Sequence, residues 1–421
     1  MFALIDCNSF FCSVEKVFHP GLRDKPVVVL SSNDGCIVAL TPEAKAVGLH
    51  RGDPVFKVKD IIKRHKVCVF STNMMLYAAM SKRIVSIIRE SVSQVEQYSI
   101  DESFCDLRGY EKHFDLVAMM RELRDKILLY TDVPVSVGIA PTKTLAKMGS
   151  KFAKQHKGYG GVCMIDTDAK RRKALDLFPL GDVWGIGRHT LAKLEYHGVR
   201  NTLEFADKSE AWVSSHLTKP GVQVWLELNG HPCIDTAEQQ RKKTICTSRS
   251  FGEMISDQES MKTSIATFAS SCANKLRGQA SAAKSVTVFV ASNRFREDLQ
   301  QYANSATVSL LVATSDTLEL TNAAMQALRK VWREGIQYKR SGVIVSDIQP
   351  NESIEGNIFD PIHNRPERAR LMREIDDINH RYGLKTVQTA AEGSGKQEWR
   401  VKCDYRSGNY LTDADELLTI D

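Results

Sequence analysis

An order of elements that occurs twice is the strongest constraint on how this chain of 421 residues can fold. Apolar runs of strand length and stretches of helical period alternate as strand, helix, strand, strand, helix, strand. In the first copy FALIDC (2–7) reads as a buried strand, and residues 9–17 and 73–92 read as helices. QVEQYSI (94–100) and SFCDL (103–107) read as paired strands, 114–130 and 142–155 as helices, and VPVSVGIA (133–140) and GVCMI (161–165) as strands. Residues 20–72 interrupt this copy as an insertion with its own small sheet: VVVL (27–30), CIVAL (36–40) and VCVFS (67–71), with a short helix at 42–47. The second copy runs through strand 245–252, helix 258–277, strands 285–292 and 306–314, helix 317–334 and strand 342–348. This order is that of the ferredoxin-like unit. The expected fold class is therefore α+β and multidomain, with two βαββαβ units joined by a polar helical segment at 168–237. Residues 350–370, rich in charge with four prolines or glycines, read as a linker, and 371–381 as one further helix.

Composition excludes other classes. Hydrophobic residues are 43% and charged residues 26%, ordinary globular usage, with too few Gly (25) and Pro (12) for a low-complexity chain. No apolar run is long enough to span a bilayer, and the start MFALIDCNSFFCSVE lacks the basic region of a secretory signal. Ten scattered cysteines without a C-x-x-C pair argue against a zinc site or disulfide framework, and for a reduced, cytoplasmic setting. The formal net charge of +6 is unevenly spread. Residues 350–421 hold 10 Lys+Arg against 14 Asp+Glu, and residues 1–349 hold 47 against 37. A basic body with an acidic tail suggests a polyanionic partner for the body alone.

Asp6 ends the first strand, and Asp101-Glu102 lies between the paired strands. The first and third strands of a ferredoxin-like sheet are neighbours, so these three carboxylates are expected to converge. Clustered anions repel unless cations compensate them. Hard oxygen ligands suit Mg²⁺, and two such ions clamp an in-line phosphoryl transfer. Lys143, Lys147, Lys151 and Lys154 share one helix face, behind a Thr142 cap that opens a candidate phosphate site. Lys151 and Lys154 read as solvated surface. Val183-Trp184-Gly185-Ile186-Gly187-Arg188 before a further helical stretch is a helix-hairpin-helix pattern, whose glycines let backbone N–H groups approach a DNA phosphate. Of Phe10 and Phe11, one is expected to pack inward and the other to lie beside a ligand held by Asp6. Met74, Met75 and Met80 read as core.

These residues spell a resemblance to the Y-family, translesion DNA polymerases over nearly the whole length. Its carriers are IDCNSFF (5–11), PEAKAVG (42–48), YSIDESF (98–104), VGIAPTKTLAKM (137–148), DVWGIG (182–187) and SRSFGE (248–253). Within the family the chain is similar to the UmuC-type catalytic subunits of bacterial DNA polymerase V, whose C-terminal extension IDDINHRYG (375–383) resembles. The resemblance implies a right-hand polymerase: palm at 1–19 and 73–166, fingers at 20–72, thumb with helix-hairpin-helix at 167–237, little finger at 243–348, and a linker with an acidic, partner-binding extension at 349–421. It implies error-prone, template-directed dNTP addition opposite damaged bases in a DNA-damage (SOS-type) response.

The same resemblance implies roles. Asp6, Asp101, Glu102 and the main-chain carbonyl of Cys7 are ligands of two Mg²⁺ ions. Phe11 is the steric gate that excludes the sugar 2′-OH, with Phe10 beside it. Lys45 and Lys147 hold the incoming triphosphate. Gly185, Gly187, Arg188 and Arg249 contact DNA. Implied partners are primer-template DNA, dNTPs, a UmuD′-type dimer, a RecA filament and the sliding clamp. Two positions depart from the pattern. Pro42 stands where many members carry Tyr. Glu355-Gly356-Asn357-Ile358-Phe359 matches the clamp-binding pentapeptide without its leading Gln, leaving Ile358 and Phe359 as an apolar plug. No second carboxylate cluster suggests a proofreading nuclease, and a small fingers insertion suggests low fidelity. On the residues alone, a two-metal nuclease and a non-catalytic DNA-binding relative remain alternatives.

Overall fold

The computed structural model describes residues 1–235, 241–383, 385–393 and 399–418. The expected thumb end at residue 237 lies outside them. The chain divides into two compact units, residues 1–239 with 404–421, and residues 240–403.

The first unit opens with β1 (Phe2–Cys7) and α1 (Phe10–Phe18). The insertion follows as β2 (Val27–Leu30), β3 (Ile37–Leu40), α2 (Pro42–Ala46), α3 (Val55–Arg64) and β4 (Cys68–Ser71). It forms a three-stranded sheet in the order β3-β2-β4 over a small core that includes Val28, Leu30, Ile37 and Leu49. Helix α3 has no counterpart in the expected elements, although Val55, Val58, Ile61 and Ile62 line one face of it against that core. The chain continues through α4 (Met74–Ser91), β5 (Val95–Gln97), β6 (Glu102–Asp106), α5 (Leu116–Thr131), β7 (Val135–Ala140), α6 (Lys143–Gln155) and β8 (Val162–Met164). Side chains start these helices: Asn73 caps α4, Asp115 caps α5 and Thr142 caps α6. The polar segment folds as α7 (Asp168–Leu177), α8 (Arg188–Tyr196), α9 (Thr202–Ala206), α10 (Glu210–His216) and α11 (Lys219–Leu228).

The large sheet runs β5-β6-β1-β7-β8. Its first four strands keep the ferredoxin-like order, with the first and third strands adjacent as expected. Both faces are covered. Ala3, Ile5 and Cys105 pack with Tyr77, Met80 and Ile127 of α4 and α5. Leu4 and Phe104 pack on the other side with Leu145, Met148 and Phe152 of α6. Two-sided burial explains why FALIDC is an unbroken apolar run rather than an alternating one. Met80 is in the core as expected. Met74 and Met75 are not: they lie on the outward side of the first turn of α4, opposite buried Leu76 and Tyr77, and are 50% and 55% exposed.

The second unit comprises β9 (Ile245–Ile255), α12 (Gln258–Gly278), β10 (Ser281–Ser292), β11 (Ala303–Thr314), α13 (Thr317–Val331), β12 (Tyr338–Pro350) and α14 (Arg365–Tyr382). The element order matches the first unit, but the sheet runs β11-β10-β12-β9. The hairpin enters by its first strand here and by its second strand in the large sheet. Burial decides which. β10 has seven of its twelve residues buried and one exposed, whereas β11 has three buried and six exposed; in the first unit the middle of β6 is buried and β5 forms the edge. The expectation of a second ferredoxin-like unit therefore holds for chain order and not for strand order. Helix α14 begins inside the expected linker, because Pro366 at its first turn lacks only an N–H that a helix start leaves unpaired anyway. It is anchored by Arg368 on Asp316 (2.8 Å) and Asp376 on Arg277 (2.6 Å). Among the described residues no helix is long and apolar enough to cross a membrane, and all ten cysteines are free thiols.

Candidate active site

The β1–β6 ladder sets Asp6 directly opposite Glu102. Asp101 lies just before β6, and its carbonyl accepts the Cys7 amide at 2.9 Å. The turn before β6 is organised by Ser99. Its hydroxyl donates to Asp101 Oδ1 at 2.6 Å and accepts the amides of Asp101 (3.2 Å) and Glu102 (3.0 Å). On the other strand, Asn8 donates to the Pro134 carbonyl, and Ser9 enters α1 in the left-handed region at φ 45°. Such a conformation costs roughly 1–3 kcal/mol in a non-glycine residue and persists only where neighbours impose it. Here Ser9 Oγ donates to the Leu40 carbonyl at 3.0 Å, and Ser13 Oγ to the Asn8 carbonyl at 2.6 Å.

The three carboxylates are half-buried and gather at one end of the sheet. They do not close on a single point: among the described residues no three His, Cys, Asp or Glu side chains are arranged to hold a metal ion. Each has its own partner instead. Lys154 donates to Asp6 at 3.2 Å, Lys147 reaches Glu102 at 2.9 Å, and Ser99 takes Asp101. Burial pushes the Asp6 carboxyl above the usual carboxylate range. Lys154 opposes this rise, and the charges of Glu102 and Asp101 add to it. Three carboxylates face two lysines and a serine hydroxyl there, and such an oxygen donor set fits hard divalent cations.

Lys154 is exposed, as expected of a solvated face, yet also pairs with Asp6, and half-buried Lys151 pairs with Asp182 at 2.6 Å. The signal for Lys154 lay in its spacing of two helical turns from Lys147. Lys147 itself sits in an aromatic recess, 4.7 Å from the Tyr98 ring and 5.2 Å from Trp184, whose Nε1 donates to the Tyr98 hydroxyl at 3.1 Å. The start of α6 is no open phosphate site. Its Thr144 amide donates to Glu227 of α11 at 2.9 Å, Thr142 caps Leu145, and Lys143 is buried against Glu96 at 2.7 Å.

Phe10 is the ring of the pair that packs inward, at 3% exposure, and its burial leaves no surface for the nucleotide contact that the resemblance implied. Phe11 stays half-buried, stacked on Tyr77 at 4.5 Å. Lys45 is exposed on α2. Ahead of the hairpin, α7 ends at Leu177 and one 3₁₀ turn, Leu180–Asp182, leads into the glycines before α8. Gly185 has φ +92°, and a Cβ there would meet Val224 at 2.5 Å. Gly187 and Arg188 face solvent. In the second unit Arg249 is exposed on β9, and Ile358 and Phe359 are 93% and 76% exposed. Ser99 and Tyr98 are site residues that sequence reasoning passed over, and Lys154 is one that it read as surface.

A sheet with carboxylates on its central strand pair, a small inserted domain, a helical segment with a Gly-x-Gly hairpin and a separate βαββαβ unit together define the Y-family polymerase fold. A solved chimeric Y-family DNA polymerase built from Dbh and Dpo4 superposes with a TM-score of 0.64 at 21% identity, covering 83% of this chain and 100% of that one. The chain belongs to the impB/mucB/samB family: the family model matches residues 5–151 and its C-terminal domain residues 242–358, while a domain of unknown function matches 369–420. Protein UmuC of Salmonella typhimurium is 39% identical, over 100% of both chains. Protein ImpB of Salmonella typhimurium is 38% identical, over 98% of this chain and 97% of its own.

Proposed function

We infer that this chain, a DNA-directed DNA polymerase for translesion synthesis, does its chemistry where Asp6 and Glu102 face each other across β1 and β6. That opposed pair, beside Asp101 and at the end of a sheet buried on both faces, carries the reading. Asp6, Asp101, Glu102 and the Cys7 carbonyl would hold two Mg²⁺ ions. Bound there, the ions would neutralise charge on the reacting phosphates.

The remaining roles belong to the chain's own groups. With Asp6 and Glu102 engaged by the ions, Lys147 and Lys154, which pair with them here, would be free to face the triphosphate. Lys45, on the insertion, approaches the same phosphates as a point charge. Phe11 closes the volume that a sugar 2′-OH would need. The Gly185–Arg188 hairpin and Arg249 track the DNA backbone. Residues 1–19 and 73–166 act as palm, 20–72 as fingers, 167–237 as thumb and 243–348 as little finger. The exposed Ile358 and Phe359 suit a sliding-clamp pocket. A UmuD′-type dimer and a RecA filament are the further partners, through 349–421 and the surface. No editing nuclease accompanies the site, and synthesis is error-prone.

The test is primer extension by full-length protein with Mg²⁺ and four dNTPs on undamaged and abasic templates, alone and with the accessory dimer and a RecA filament. Template-directed synthesis across the abasic site is expected. DNA binding without synthesis in every arm would leave a scaffold, and DNA degradation without nucleotides would leave a nuclease.

A further inference from the structure

Residues 404–411 return to the first unit and run over the start of α4 as a strap. Three buried polar side chains meet it: Ser71, Asn73 and Glu15, each 0% exposed. The Ser71 amide donates to the Tyr405 carbonyl, and the Tyr405 amide donates to Ser71 Oγ, both at 2.9 Å. Asn73 Nδ2 donates to the carbonyls of Ser407 (2.9 Å) and Gly408 (3.2 Å). Ser407 Oγ donates to Glu15 Oε1 at 3.0 Å, and the Tyr77 hydroxyl donates to the same oxygen at 2.6 Å. The Tyr410 ring lies 5.0 Å from Phe18, and Tyr410 and Leu411 pack on the core of this unit. Buried polar groups are nearly always hydrogen-bonded, so these side chains are built to receive the strap.

The path continues to the nucleotide side. The Tyr77 ring, fixed at its hydroxyl by Glu15, stacks on Phe11 at 4.5 Å with only 15° between the planes. Phe11 and Glu15 are one turn apart on α1. The gate ring is therefore backed by a tyrosine whose tip is held by a carboxylate that the strap also holds. Glu15 Oε2 is buried without a partner, so Oε1 carries the whole hydrogen bonding of the group.

We propose that the C-terminal strap is a positioning element for sugar selection: Ser407, through Glu15 and Tyr77, holds the Phe11 ring where it excludes ribonucleotides. The proposal rests on the reading of Phe11 as the steric gate. It gives residues 404–411, which lie in the domain of unknown function, a role inside the polymerase rather than only towards partners.

Single-nucleotide insertion by the full-length protein, with matched dNTP and rNTP, tests it. The readout is the ratio of the two kcat/KM values, which a smaller folded fraction leaves unchanged. Phe11→Ala is expected to collapse the ratio. Ser407→Ala and Tyr77→Phe are each expected to lower it by about five-fold, the equivalent of one ordinary hydrogen bond. The double variant should lose little more than either alone, because both act on one carboxylate oxygen. Ser407→Thr, which keeps the hydroxyl, should restore the ratio. If Phe11→Ala collapses the ratio while Ser407→Ala and Tyr77→Phe leave it at the wild-type value, the strap has no part in selection and the gate stands. If Phe11→Ala leaves the ratio unchanged, the gate reading falls, and the strap's role with it.

Discussion

The two sheets share one chain order and differ in how many faces they bury. In the first unit helices cover both faces, and Asp6 and Glu102 sit at the end of the innermost strand pair. In the second unit α12 and α13 cover one face, and the inner pair β10–β12 carries Val286 opposite Val345. The difference teaches where chemistry can be placed. A strand pair buried from both sides fixes its terminal side chains and strips water from them, which is what raises the Asp6 carboxyl. A one-sided sheet leaves a broad polar face, such as that bearing Arg249, better suited to holding a backbone than to reacting with it.

The largest effect should separate the two sheets by function. Asp101→Ala is expected to reduce primer extension by at least about a thousand-fold, since metal charge stabilisation amounts to several kcal/mol. DNA binding should survive it. Extension within ten-fold of wild type would remove the carboxylates of the first sheet from the chemistry.

Glycine tests the burial difference itself. A Cβ at Gly138 on β7 would meet the Ala146 carbonyl oxygen at 2.0 Å and the Ser150 amide at 2.1 Å, both backbone of α6. At Gly342 on β12 it would meet Phe289 Cζ and Ser248 Cβ, both at 2.5 Å; half-buried Phe289 can turn aside, and Ser248 yields only if the edge strand β9 shifts with it. Gly138→Ala should cost about 3 kcal/mol or more and Gly342→Ala about 1–2 kcal/mol. Peptide-resolved hydrogen exchange of the full chain reads each unit separately. Equal loss of protection in the two variants would mean that the covering helix does not set the cost.

A smaller effect concerns the open sheet. Arg249→Ala should weaken DNA binding a few-fold and lower the slope of log affinity against log salt by about one, with kcat retained. A drop in kcat at saturating DNA would instead tie the second sheet to the chemistry.

Much of this was legible in the sequence, for stated physical reasons. FALIDC is too continuously apolar for a one-sided strand, and Asp6 at its end had to face the turn before β6. Even the strand order of the second unit was present: SVTVFV of β10 is the apolar partner of its hairpin and belongs inside. What pattern could not carry was pairing across long separations. Lys154 reaches Asp6 over 148 positions, and Ser407 reaches Glu15 over 392. Period and spacing describe neighbours on one element. They are silent on which distant polar group a buried carboxylate will choose.

The smallest effect probes that choice. Burial raises the Glu15 carboxyl above its ordinary range, against the hydrogen bonds of Tyr77 and Ser407 and the charge of His19, while Cys12 lies close by on the same helix. The folded chain therefore holds the Glu15 proton more tightly than the unfolded chain does. Stability from this group is fully present below the ordinary glutamate value and is lost as pH rises through the raised one, about 1.4 kcal/mol for each tenfold tightening. Gln at position 15 does not titrate and keeps an acceptor for Tyr77 and Ser407. Glu15→Gln should thus gain on the wild type as pH rises from the acid side to neutrality, in the exchange protection of α1 and the start of α4. A difference between the two proteins that stays flat with pH would mean that Glu15 folds as an ordinary ionised carboxylate. Ser407 and Tyr77 would then donate to a charged oxygen rather than to a neutral carboxyl.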